Sequence, residues 1–139
     1  MKEWHLNAII KVYYDLIDGR KKIETRACSP NEEKDYGQIE KGDLLIFYPL
    51  DNFSLRIEHD KISFIAGEIR KYSSVEEMLK HENLKDILPD SNSLEDALKV
   101  YYSFPRYKER IAKYGIVAID LLKIWDKSLK TLIFYKFWF

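Results

Sequence analysis

GRKKIETR, residues 19–26, places five charged side chains in eight positions behind a glycine. Ahead of it, KVYYDLID (11–18) sets Val12, Leu16 and Ile17 at helical spacing, and Gly19 is placed to end that helix. Behind it, KIETRAC (22–28) alternates. Ile23, Thr25 and Ala27 fall on one face and Lys22, Glu24 and Arg26 on the other. The stretch is therefore a turn that feeds a strand, and the remaining elements are read outward from it.

Upstream, WHLNAII (4–10) reads as a short strand. Downstream, SPNEEKDYG (29–37) is a polar loop, and Gly42-Asp43 introduces LLIFYPL (44–50), a buried strand by its continuous apolar run. DNFSLRIEHD (51–60) reads as a ragged hairpin arm and KISFIAGEIRKY (61–72) as a long strand. The period then changes. Ser74 precedes Glu77 by three residues, a capping-box pattern that opens a helix over 73–82, and Ser93 with Asp96 repeats the device for 91–104. That second helix sets Leu94, Ala97, Leu98 and Tyr101 on one face. RYKERIAKYG (106–115) is a charged helix ended by Gly115, IVAIDLLKIW (116–125) returns to strand, and TLIFYKFWF (131–139) is placed to pair back. The expected class is α+β: a small mixed β-barrel with helices inserted between strands and packed at one end. One domain over 1–139 accommodates all of it, with 123–139 as a C-terminal strand or hairpin extension.

Composition narrows the function classes. With 23 basic and 23 acidic residues the formal charge is zero, so phosphate binding must come from a local patch, not from whole-molecule attraction. One cysteine, Cys28, rules out an internal disulfide and fits a reducing compartment. The start MKEWHLNAIIKVYYD is too interrupted by charge for a secretory signal, and the apolar tail is too short to span a bilayer. A soluble cytoplasmic protein without a membrane partner is expected. His5, His59 and His81 are far apart with no ligand-spaced neighbours, so no metal site is expected. No glycine-rich phosphate loop or nucleophile elbow is present, Cys28 has no local activating histidine, and no cofactor is implied.

What remains is the charged strand. Lys21 and Arg26 supply cations, with the planar fork of Arg26 suited to phosphate or carboxylate, and Glu24 lies between them. If Lys21 is desolvated its pKa falls, and it can take a proton from water with Glu24 or Glu68 as partner. The alternative is an edge ion-pair set that keeps an exposed face soluble. Glu68 interrupts an apolar strand, so it either faces solvent or lines a cleft, and Gly67 beside it marks a bulge or a close ligand approach. Asp43 reads as a turn residue. In 101–114, Tyr101, Tyr102, Phe104, Tyr107 and Tyr114 interleave with Arg106, Lys108, Arg110 and Lys113. Bases stack on aromatic faces while cations meet phosphates, which is the composition of a single-stranded RNA surface. Amphipathic helix packing gives the same pattern.

Gly19, Lys21, Glu24 and Arg26 also occupy all four fixed positions of GxKxxExR. With the helix before the glycine, GDLLIFYPL, AGEIRKYSS, the helix ending in ILP, and YKERIAKYGIVAIDL in that order, residues 4–122 resemble the ASCH (activating signal cointegrator homology) domain of the PUA-like superfamily. The resemblance implies a five- or six-stranded barrel with a cleft beside the motif strand. It also implies a ligand that is RNA or a nucleotide-like small molecule, with Gly19, Lys21, Glu24, Arg26, Tyr102, Arg106 and Tyr107 as binding residues. Some bacterial members are hydrolases, with ribonuclease activity or removal of an acyl group from acylated cytidine. In the deacylating members the motif lysine, a threonine three residues on and a distant glutamate form the catalytic set. Carried over, these fall on Lys21, on Glu24 in place of threonine, and on Glu68. Thr25 is one residue along and is expected on the opposite strand face. A protein-interaction adaptor is the third class, with a homodimer through the C-terminal strand as one form of it.

Overall fold

The computed structural model describes residues 1–124. Five strands form one sheet: β1 (Glu3–Ala8), β2 (Ile23–Ala27), β3 (Leu44–Pro49), β4 (Ile62–Tyr72) and β5 (Ile116–Lys123). Their spatial order is β1-β3-β4-β5-β2, with β1 parallel to β3 and every other pairing antiparallel. The sheet curls into a half-barrel, and among the described residues β1 and β2 are its two edge strands. The α+β class and the barrel-like sheet agree with the sequence. The expected strand or hairpin at 123–139, and the pairing of two copies through it, lie outside the described residues from 125 onward.

Helix α1 (Ile10–Ile17) connects β1 to β2. It ends as expected at Gly19, whose φ of 75° lies in the left-handed region that an L side chain rarely adopts. The chain then tightens, with Arg20 N and Lys21 N both donating to Asp15 O at 3.0 and 3.1 Å. Four helices fill the connection from β4 to β5: α2 (Val75–His81), α3 (Leu84–Ile87), α4 (Leu94–Ser103) and α5 (Tyr107–Tyr114). The two capping serines work as expected, Ser74 accepting from Glu77 N at 3.0 Å and Ser93 from Asp96 N at 3.1 Å. Leu94 is a departure, because it is exposed at the first turn of α4 while Ala97 and Tyr101 are buried.

Two cores lie on the two faces of β2 and β5. One gathers Trp4, Leu6, Leu45, Phe47, Phe64, Val117 and Ile119 inside the curl, closed by Leu16 of α1. Fully buried side chains such as Leu6 and Phe47 each contribute roughly 1.5–3 kcal/mol through burial. The other core packs Ile23, Ala27, Ile116 and Ala118 against Val75, Met78, Ile87, Tyr101 and Ile111 of the inserted helices. The helices thus cover the outer face of β2 and β5, where the sequence had suggested one end of the barrel. Strand β2, an edge strand, is consequently enclosed on both faces and open only along its side.

Gly67 is a bulge. Ala66 pairs with Leu121 and Ile69 with Ile119, so Gly67 and Glu68 together oppose Asp120. A Cβ at Gly67 would lie 3.0 Å from that of Asp120, which explains why the smallest residue stands there. Among the described residues no helix is long and apolar enough to cross a membrane.

Candidate functional site

The free side of β2 carries an unusual polar load. Cys28 N donates to Gly115 O and Leu121 N donates to Lys22 O, so the Lys22 carbonyl and the backbone groups of residues 24, 26 and 28 address β5, while Lys22 N donates to Asp86 O at 2.8 Å. By alternation, those of Ile23, Thr25 and Ala27 point away from the sheet, where no strand among the described residues pairs with them. The motif side chains take up part of this exposed edge. Lys21 Nζ donates to Ile23 O at 2.8 Å and Glu24 Oε1 accepts from Thr25 N at 2.9 Å. Lys21 Nζ also donates to Ile87 O at 2.8 Å, tying β2 to α3 across 66 positions. Arg26 reaches the opposite edge of the sheet, donating from Nη2 to Asn7 O at 3.1 Å and to Glu24 Oε2 at 3.2 Å, with its guanidinium over the Tyr36 ring.

Between the two edges lies a cavity of about 350 Å³. Asn7, Ala8, Ile9 and Val12 form the β1–α1 wall, Lys21, Glu24, Thr25 and Arg26 form the floor, and Leu88, Tyr101, Phe104, Pro105 and Tyr107 form the helical wall. Phe104 and Tyr107 meet edge-on with ring centroids 5.1 Å apart.

The electrostatics follow from burial. Lys21 and Glu24 are both buried, with Nζ 3.7 Å from Oε1. Burial pushes the Lys21 amine below its ordinary value, and the Glu24 carboxylate recovers only part of that fall. Burial pushes Glu24 upward, but the charges of Arg26 and Lys21 and the Thr25 N–H outweigh it and hold the carboxyl below its ordinary range. For Arg26, burial opposes the charge and Glu24 more than restores it. With Lys21 protonated the floor bears two cations around one anion, a net positive charge of one, and burial makes the Lys21 proton the easiest of these charges to give up.

The sequence-expected residues separate clearly. Lys21, Glu24, Arg26 and Tyr107 converge on the cavity, while Gly19 contributes only the turn that delivers Lys21. Glu68 does not join them. The bulge turns it to the surface, where it pairs with Lys41. Tyr102 is likewise outside, its hydroxyl directed to Glu76 at 3.2 Å. Arg106 lines a different, open hollow with Glu32, Arg110 and Lys113. Asp43 is a buried turn residue, accepting from Trp4 Nε1 and from the backbone N–H groups of Lys2 and Glu40. Cys28 is buried, and burial pushes its thiol upward. No cluster of metal-ligating side chains occurs among the described residues.

The sequence reading missed Asn7 and Thr25. Thr25 lies on the strand face opposite Glu24, as alternation required, yet both line the cavity because it wraps the side of the strand. The Thr25 hydroxyl is 2.6 Å from that of Tyr101, and burial pushes the Tyr101 phenol upward. An edge strand with charged and polar residues on successive positions was the available signal. The partner edge could not be read from it.

A curled five-stranded sheet with four helices inserted before its last described strand, and an edge-to-edge cleft floored by lysine, glutamate and arginine, defines the class of this molecule. It is similar to the crystal structure of the hypothetical protein PH0355, with 34% identity over 86% of this chain and 97% of that one and a TM-score of 0.69. It is also similar to the solution NMR structure of protein PF0455 from Pyrococcus furiosus, with 32% identity over 89% of this chain and 99% of that one and a TM-score of 0.66. The chain belongs to the family of these two proteins, whose names state no activity. No protein-family model and no curated protein matches it.

Proposed function

We propose that the chain is an ASCH-type, PUA-like protein that binds RNA or a nucleotide-like ligand in the cleft between β1 and β2. The observation that carries this reading is the convergence of Lys21, Glu24 and Arg26 on one concavity whose far wall is aromatic. A base has a π-face to lay on Phe104 or Tyr107, and polar edges to meet the Thr25 and Tyr101 hydroxyls and the Arg26 fork. Ile9, Val12, Leu88 and Pro105 exclude water around it.

Phe104 offers the cleanest test, because the residue is 43% exposed and its loss removes little core. Calorimetric titration of the four ribonucleosides and of a uridine hexanucleotide is expected to detect binding by the wild type. Phe104→Ala should weaken it by roughly 1–3 kcal/mol with an unchanged melting temperature. Equal binding by the two proteins, or binding by neither, would end this reading.

One detail favours a second, hydrolytic reading. An amine nitrogen has tetrahedral directions, and two of those on Lys21 are committed to the carbonyls of Ile23 and Ile87. The direction left over serves Glu24 and the cleft, and burial favours the neutral amine whose lone pair would occupy it. Once neutral, Lys21 would take a proton from water as its oxygen bonds to the acyl carbon of an acylated cytidine, or to the phosphorus of an RNA phosphodiester. The ammonium formed beside Glu24 would return a proton to the cytidine amine or ribose oxygen that departs as the C–N or P–O bond breaks. Incubating wild-type protein with acylated cytidine and with RNA tests this, since an absence of acid release and of strand cleavage excludes it.

A further inference from the structure

The cleft floor is short of positive charge for a phosphorylated ligand, because Glu24 already lies 3.2 Å from Arg26 and 3.7 Å from Lys21. A second cation stands immediately beside it. Arg56 Nε donates to Asn7 Oδ1 at 2.6 Å, while the backbone carbonyl of the same asparagine accepts from Arg26. Asn7 is itself a wall residue of the cavity, so one side chain and its own carbonyl hold two guanidinium groups at a single point on the rim.

Arg56 is exposed, yet it is fixed twice: by the bond to Asn7 and by stacking 4.7 Å above the centroid of the buried Tyr48 ring. Tyr48 is in turn bonded to His5 at 2.7 Å and stacked on it. Among the described residues Arg56 forms no ion pair with a carboxylate. The acid five residues earlier, Asp51, is exposed and accepts through Oδ1 from the backbone N–H groups of Phe53 and Leu55. An arginine held at Nε and over an aromatic ring keeps its two terminal nitrogens as an unused, pre-aimed fork, the geometry that suits two oxygens of one phosphate. Immobilising the side chain beforehand removes much of the entropic cost of using it.

We infer that Arg56 is a phosphate-binding residue at the rim of the cleft, and that the ligand carries a phosphate ester one nucleotide unit from the base seated inside. This rests on the nucleotide reading of the cleft and adds its ligand class: a phosphorylated nucleotide or a phosphodiester chain, in preference to a free nucleoside. The base meets the aromatic wall, and the phosphate spans Arg26 and Arg56 across Asn7.

The test compares ribonucleosides, their 5′-monophosphates and a uridine hexanucleotide by calorimetric titration at low and moderate salt. Wild-type protein is expected to bind the monophosphate about tenfold more tightly than the nucleoside, with an advantage that shrinks as salt rises. Arg56→Gln should erase that advantage while leaving nucleoside affinity and melting temperature unchanged. Asn7→Ala, which frees Arg56, should erase part of it. A preference for the hexanucleotide over the monophosphate assigns the phosphate to a chain, and the reverse assigns it to a mononucleotide. If nucleosides bind with no phosphate advantage, or Arg56→Gln keeps the advantage, the rim assignment fails while the cleft reading stands. If nothing in the panel binds, both fall.

Discussion

Lys21 and Glu24 lie in the cleft floor with side chains 5% and 7% exposed, whereas Lys41 and Glu68 form the same kind of pair on the surface at 67% and 65%. The residue types are identical and the roles are not. In the buried pair each group is also bonded to backbone: Lys21 to two carbonyls, Glu24 to an N–H. These two charges cancel and occupy part of the open side of β2, and Arg26 beside Glu24 adds the net positive charge of the floor. The surface pair is bathed in solvent, where water and salt screen it and either partner can let go. Burial, set by which element folds over the pair, decides whether a lysine and a glutamate are architecture or ornament.

The strongest way to break the comparison is Lys21→Met, which keeps much of the volume and strands the carbonyls of Ile23 and Ile87. Urea unfolding is expected to show a loss of about 3–5 kcal/mol. A loss near zero would mean that the amine is not the clamp between β2 and α3. Glu24→Gln comes next, at about 1.5–3 kcal/mol near neutrality, since the amide keeps shape but not charge beside Arg26. Its pH dependence has a defined sign. The folded carboxyl titrates below its ordinary value of 4.5, so its contribution is complete above that value and is lost as pH falls through the folded one. Stability measured from pH 7 downward should therefore show the wild type and Glu24→Gln converging in acid. A constant gap would contradict the assigned shift.

Thr25→Val sharpens the comparison on the other face of the strand. It leaves the buried Tyr101 hydroxyl without its 2.6 Å partner and should cost about 1–2 kcal/mol, read from the same denaturation curves. Least of all should happen at Glu68→Gln, where the melting temperature and any ligand affinity should match the wild type. A clear drop in either would return Glu68 to the site from which the bulge removes it.

Much of the frame was legible in the chain. The serine-opened helices, the long strand ending at Tyr72, the continuous apolar strand after Gly42-Asp43 and the glycine that delivers the motif all follow from local rules, because caps, turns and alternation involve neighbours in sequence. The cleft was only half legible. GRKKIETR named three residues of the floor, but the carbonyl that Lys21 holds is 66 residues away and Asn7 meets Arg26 only because the sheet curls its two ends toward each other. Glu68 was open between solvent and cleft in the sequence, because a bulge at Gly67 would leave the facing of the next residue undecided. In the structure that bulge is present and Glu68 faces solvent beside Lys41. Tyr102 and Tyr107 have the same aromatic chemistry five positions apart. The turn through Phe104, Pro105 and Arg106 sends one toward Glu76 and the other into the cavity.

The gap between β1 and β2 has a mechanical meaning as well. Two segments from opposite margins of one sheet are bridged there by the reach of a single guanidinium, that of Arg26. Any occupant touching both margins completes the wall as a missing slat completes a cask. Its arrival should slow amide–solvent proton exchange along residues 3–8 and 23–27 together, although these stretches share no direct pairing.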